Sequence, residues 1–224
     1  MAETAPLQLE LRARTWGGKR TGAGRKPSAR KVGVPHRARP SHHPRHPAHV
    51  TMRVLRGLPS LRAGAIFPAV RRALADASRN EFRVIEFSVQ RDHVHIIVEA
   101  PHAGGLSRGV QGLAIRIAKR VNRVLGRSGR VWQDRFHTRA LRTPREMRNA
   151  LVYVLHNWRK HIRGACGLDL RSSATWFTGW NTPVRPVDEP APVVPPRSWL
   201  AAVGWRRLGL IAVDERPAQS PRRR

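Results

Sequence analysis

The chain has 224 residues, 40% of them hydrophobic, with 43 Lys+Arg against 14 Asp+Glu: a formal charge of +29. That composition fills one core of ordinary size, not two large ones, and the charge calls for a polyanion, nucleic acid before an anionic membrane surface. One cysteine, Cys166, excludes a disulfide framework and a cysteine-based zinc site. No apolar run reaches the ~18 residues of a membrane span, and the N-terminus lacks the apolar stretch of a secretory signal. The expectation is a soluble cytoplasmic protein with no membrane partner. Arginine outnumbers lysine 38 to 5, but a GC-rich genome produces the same bias, so the charge carries the argument and the ratio does not.

Composition divides the chain into three parts. Residues 1–48 are a basic, largely disordered arm with 11 basic and 2 acidic residues. Residues 49–163 hold nearly all the periodic hydrophobic pattern, and residues 164–224 form a Pro/Trp-rich extension. In the arm, glycines interleave with Lys19, Arg20, Arg25 and Lys26, as in an extended segment that could lie in a minor groove or as in a plain solvated linker. His36, His42, His43, His46 and His49 follow at irregular, proline-broken spacing, which reads as linker rather than metal cluster.

The elements then run strand, helix, strand, strand, helix, strand, helix. His49–Leu55 alternates as a strand. Residues 64–79 place Ile66, Val70, Leu74 and Ala77 at helical spacing. Residues 82–90 and 93–100 are strands joined tightly through Arg91-Asp92. Residues 104–125 form a helix, apolar on one side and carrying Arg116, Lys119, Arg120 and Arg123 on the other. Residues 131–141 read as a fourth strand. Thr143-Pro144-Arg145-Glu146 then opens a helix predicted to reach about residue 163, with Thr143 as N-cap. The order βαββαβ predicts an α+β fold, the ferredoxin-like split βαβ. It is an antiparallel sheet with helices on one face, plus one appended helix, flanked by irregular arms.

Two features carry chemistry. His93 and His95 lie two apart on a strand, so both side chains leave one face about 6.6 Å apart and could share a divalent metal. The same pattern occurs on the solvated face of an edge strand. Tyr153 is the only tyrosine. It shares a helical face with Asn157 four residues on and Asn149 four before. Glu99 and Asp134 read as strand-end residues, and His137 and His156 as surface. Four of the seven tryptophans lie between Trp176 and Trp205. Residues 198–205 suit a short helix docking on the core, and base stacking is the alternative.

Taken together, DHVHIIVEA (92–100), LSRGVQGLAIRIAKRVNR (106–123), GRVWQDRF (129–136) and ALVYVLHNWRKH (150–161) resemble the HUH single-tyrosine transposases, and more closely the REP-associated tyrosine transposases. The resemblance covers about half the chain. Arg91-Asp92 departs from the Pro-Asn that often precedes the first histidine, a change of turn residues. The resemblance implies that His93, His95 and Asn157 ligate Mg²⁺ or Mn²⁺ and that Tyr153 is the nucleophile. It implies strand transfer on single-stranded DNA bearing a hairpin, through a 5′-phosphotyrosine. Arg116, Lys119, Arg120, Arg123, Lys160 and the arm cations would then hold the backbone. The protein would be a monomer or homodimer. A phenol with a pKa near ~10 needs activation, with the metal, nearby arginines or Lys160 as candidates. A catalytically inactive nucleic-acid-binding regulator on the same fold is the alternative.

Overall fold

The computed structural model describes residues 42–160, 164, 166–185 and 187–217. The arm cations Lys19, Arg20, Arg25 and Lys26, and the side chain of Lys160, lie outside the described residues. The elements are β1 (Ala48–Arg53), α1 (Ile66–Ala75), β2 (Arg83–Val89), β3 (His93–Glu99), α2 (Ala103–Val124), β4 (His137–Ala140), α3 (Pro144–His156) and α4 (Trp199–Ala202). The four strands form one antiparallel sheet in the order β2-β3-β1-β4. This is the ferredoxin-like arrangement, with the two βαβ halves interleaved at the central pair.

Strand alternation sorts the side chains. Val50 and Met52 of β1 and Val94, Ile96 and Val98 of β3 enter one core with α1 and α2, which supply Val70, Leu74, Val110, Leu113 and Ile117. At Gly109 a Cβ would lie 2.1 Å from the Phe82 ring, so glycine is what allows α2 to close on the sheet there. The other sheet face is covered as well. Ile85 and Ile97 pack with Met147, Leu151, Val154 and Leu155 of α3. β3 is therefore buried along its whole length and reads as an unbroken apolar and histidine run.

Three element boundaries differ from expectation for local reasons. The fourth strand keeps only His137–Ala140. Residues 131–136 meet the segment just after β1 through an isolated Val54–Trp132 bridge, and Asp134 turns its carboxylate onto the Arg135 N–H, a local bond that competes with the ladder. α3 ends at His156, and Asn157–Lys160 tightens into a 3-10 turn. α1 is confined to Ile66–Ala75 and starts without a side-chain cap.

The Pro/Trp-rich extension packs on the α3 side. Ser172 bridges Ser88 of β2, and Asp169, 2% exposed, takes a two-pronged contact from Arg62 at 2.7 and 2.9 Å. Glu99 accepts hydrogen bonds from the Arg197 and Ser198 N–H groups at the start of α4, so its carboxylate anchors the extension. Trp205 is 1% exposed and sits in the core with Trp180 and Ile211.

His156 is buried against the Trp180 ring at 5.3 Å, and burial, then the Arg159 charge, lowers its pKa to about 4. An unfolded chain protonates this imidazole below ~6.5 while the folded one stays neutral until about 4. Stability present above pH ~6.5 is thus withdrawn as the pH falls toward 4, by up to roughly 3 kcal/mol for this group. Urea midpoints measured from pH 7 to 4.5 should fall steeply in the native protein and less steeply in His156→Gln.

Candidate active site

Period-two alternation turns His93 and His95 to the α3 face, away from Val94 and Ile96. Their rings lie 4.7 Å apart, centroid to centroid, at 84°. Each is held through Nδ1. The His93 Nδ1 lies 2.7 Å from Oδ1 of Asp92, in the turn between β2 and β3. Burial pushes the Asp92 carboxyl up, but the hydrogen bond and charge of His93 outweigh it, and its pKa lies below the ordinary carboxylate value. The turn residue that departs from the family pattern therefore supplies an anionic acceptor to the neighbouring imidazole.

The His95 Nδ1 lies 3.0 Å from Thr51 Oγ1 and 3.2 Å from His49 Nε2. Both partners come from β1, which pairs with β3 so that Thr51 stands opposite His95. Burial, then the Arg139 charge, lowers the His49 pKa to about 4, so this ring is neutral at pH 7 and can accept at Nε2. A protonated Nδ1 on each histidine leaves Nε2 as the ligating atom, the arrangement by which outer partners fix imidazole tautomers in metal sites. Neither His49 nor Thr51 was singled out as a site residue in the sequence. Their own alternation on β1, on the face opposite Val50 and Met52, was the available signal.

α3 brings the phenol. Thr143 Oγ1 accepts from the Glu146 N–H, Pro144 fills the first turn, and Glu146 in turn accepts from the Arg142 N–H and pairs with Arg139 at 2.8 Å. With the start fixed, the apolar stripe from Met147 to Leu155 locks the helix phase. Tyr153 then falls at the stripe's edge, its ring 5.0 Å from His95 and 5.6 Å from His49. Tyrosine and histidines belong to one chain. Burial pushes the Tyr153 pKa above its ordinary value, so the protein alone makes this phenol less acidic. Asn157 follows one turn later at the end of α3. It is 1% exposed, and neither its amide nitrogen nor its amide oxygen makes a hydrogen bond.

The remaining expected site residues lie elsewhere. Arg116, Lys119, Arg120 and Arg123 are on α2, which covers the opposite sheet face, so they are not gathered with His93, His95 and Tyr153. Arg120 is tied to Asp76 at 2.6 Å. His137 lies on β4, exposed, opposite Thr51.

Among the described residues no group of three His, Cys, Asp or Glu side chains is placed to hold a metal ion. A metal ion held by the two anchored imidazoles would need a third ligand of another type. A carboxamide buried with both polar atoms unsatisfied has the chemistry of one, because such a group costs ~1–3 kcal/mol unless something engages it. Two imidazole nitrogens and one amide oxygen would make a mixed nitrogen and oxygen donor set, whose chemistry does not by itself choose between Mg²⁺ or Mn²⁺ and a metal that prefers imidazole.

A measurable consequence follows for the β1 pair. His49→Ala combined with Thr51→Val should weaken divalent-metal binding about 10- to 100-fold while the fold persists. Calorimetric titration with Mn²⁺ checks this, and an unchanged affinity would show that the β1 contacts do not orient His95.

The sheet face thus carries a pair of anchored imidazoles beside a helical tyrosine. Residues 66–156, less than half of the chain, match the model of the IS200-like transposase family. The resemblance to the tyrosine transposases is thereby shown for the segment that holds His93, His95 and Tyr153. The solved structure of a REP-associated tyrosine transposase bound to a REP hairpin aligns with a TM-score of 0.47 at 21% identity, over 57% of this chain and 74% of that one. No curated protein matches the chain.

Proposed function

We propose that this protein cleaves and rejoins single-stranded DNA, using Tyr153 as nucleophile and His93, His95 and Asn157 as ligands of a divalent cation. The observation that carries the reading is the convergence, within one chain, of two Nδ1-anchored imidazoles and the only tyrosine, with rings 4.7 and 5.0 Å apart. The family matched over residues 66–156 is one of transposases, which supports DNA as the substrate.

In this reading the Tyr153 oxygen attacks the scissile phosphorus in line with the 3′-oxygen. The phenol loses its proton, the P–O3′ bond breaks, and the departing 3′-oxygen takes up a proton. The product is a 5′-phosphotyrosine and a free 3′-hydroxyl. A second 3′-hydroxyl reverses the step, and because one phosphodiester is exchanged for another no nucleotide hydrolysis is required. The bound cation would withdraw charge from the phosphate oxygens and favour the ionised phenol. The protein's own part is to hold the two imidazole ligands, His93 through Asp92 and His95 through Thr51 and His49, and to hold the Tyr153 ring against His95. Burial raises the Tyr153 pKa, so the protein's surroundings alone do not activate the phenol.

Hairpin-bearing strands are the substrate that the resemblance implies, and a cytoplasmic location suits it. Incubation of the protein with a library of single-stranded hairpin oligonucleotides and Mg²⁺ or Mn²⁺ should give a covalent protein–DNA band that chelator abolishes. If no substrate gives the band while binding persists, the protein is a DNA-binding regulator on this scaffold.

A further inference from the structure

Next to the tyrosine lies a cavity of about 430 Å³, within the range that binding pockets for small organic groups occupy. Its walls include His49 of β1, Arg139 of β4, Asn149 and Tyr153 of α3, and Arg216 and Pro217 of the extension. The last two are held in place by a built strap. Arg148 donates to both carboxylate oxygens of Glu215 at 2.6 and 2.9 Å, and to the carbonyls of Gly209 and Leu210 at 3.1 Å each. Ile211 is fully buried, and Arg159 donates to the Val213 carbonyl at 2.8 Å.

The charges are unequal in their commitments. Glu146 and Glu215 also line the cavity, but the first is engaged by Arg139 and the Arg142 N–H, and the second by Arg148. Arg216 is exposed and pairs with no carboxylate among the described residues. The Arg139 guanidinium meets Glu146 through one nitrogen and is 70% exposed, which leaves donors turned outward. Asn149, one turn before Tyr153 on the same face, offers both a donor and an acceptor, and the Tyr153 and His49 rings offer flat faces.

We infer that residues 209–217 complete a subsite for one nucleotide of the single strand adjoining the scissile phosphate. In it Arg216 and Arg139 grip the nucleotide's backbone phosphate, and Asn149 meets the base. The inference rests on Tyr153 being the nucleophile only for the word adjoining; binding in the cavity is separately measurable. It gives the extension a role in the site, where composition alone suggested an appendage.

The test uses the full chain carrying Tyr153→Phe, so that binding is read without cleavage. Fluorescence anisotropy compares a hairpin oligonucleotide that ends at the stem with one that continues as single strand by a few nucleotides, on either side of the stem in turn. Adding Arg216→Ala should weaken the binding of one extended oligonucleotide about tenfold and reduce the steepness of its salt dependence by about 0.7 per lost phosphate contact. The bare hairpin should bind as before, and Arg216→Lys should restore much of the loss. Equal weakening for bare and extended hairpins would make Arg216 part of a general cationic surface and overturn the subsite, as would no change with either. Arg216 pairs with no carboxylate among the described residues, so thermal unfolding of the variant should match that of its parent. If Arg216→Ala acts selectively but the unmutated chain forms no covalent adduct, the subsite stands and the strand-transfer reading falls. An adduct without Arg216 selectivity gives the reverse.

Discussion

Replacing Tyr153 by phenylalanine is expected to abolish the covalent protein–DNA adduct and to lower cleavage by about three orders of magnitude or more, since no other tyrosine exists to substitute. The same variant should bind hairpin DNA within about twofold of the native protein. Its ring packing against His95 and His49 is retained. Thermal stability should shift by no more than a few degrees. The pairing of a dead nucleophile with intact binding separates chemistry from architecture. Adduct formation by Tyr153→Phe would reject the assignment outright. His95→Ala gives a second pattern: the phenol remains, cleavage is lost, and metal affinity falls with it.

Asn157→Leu should have two effects of opposite sign. Asn157 is 1% exposed with both amide atoms lacking hydrogen bonds, so an apolar residue of similar size removes an unsatisfied pair of polar groups. Stability should rise by roughly 1–3 kcal/mol, which for a chain of this size is several degrees in Tm. Cleavage should fall at least about 100-fold because the third ligand is gone. A gain in stability at the expense of activity is the signature of a group kept for function. Asn157→Asp, which retains an oxygen ligand, should preserve metal binding where Leu does not. Were Asn157→Leu less stable than the native protein, the carboxamide would be a structural group and the ligand set would be incomplete.

The pH behaviour of the site differs from that of the fold. His49 is neutral above pH ~6.5 in either state, and its pKa of about 4 in the folded chain means that its acceptor nitrogen toward His95 persists through the weakly acidic range. Acid loss of stability below pH ~6.5 is shared by His49 and His156, which are lowered to the same value for the same dominant reason, burial. They sit at different places, one in the site and one under the strap, so His156→Gln isolates the second.

Much of this molecule is legible in one dimension. The alternation in HVTMRVL and HVHIIVE, the helical spacing across α1 and α2 and the Thr143 cap of α3 are local signals, and each forms because the backbone period repeats within a few residues. His93 with His95, and Tyr153 with Asn157, are pairs at spacings of two and four. Each pair shares a face whatever the rest of the chain does.

Tertiary structure alone decided which faces meet. Strand order β2-β3-β1-β4 brings Thr51 and His49 against His95, across 44 and 46 residues of sequence. It also places α3 on the sheet face opposite α2, which puts the phenol beside the imidazoles and leaves Arg116, Lys119, Arg120 and Arg123 on the far side. The extension shows the same limit. Prolines suppress its periodicity, yet Trp205 and Ile211 are buried and Arg216 reaches the cavity at Tyr153. Side-chain period belongs to the backbone of a single segment, whereas strand register and helix docking minimise exposed apolar area over the whole chain, a quantity to which no short stretch of residues has access.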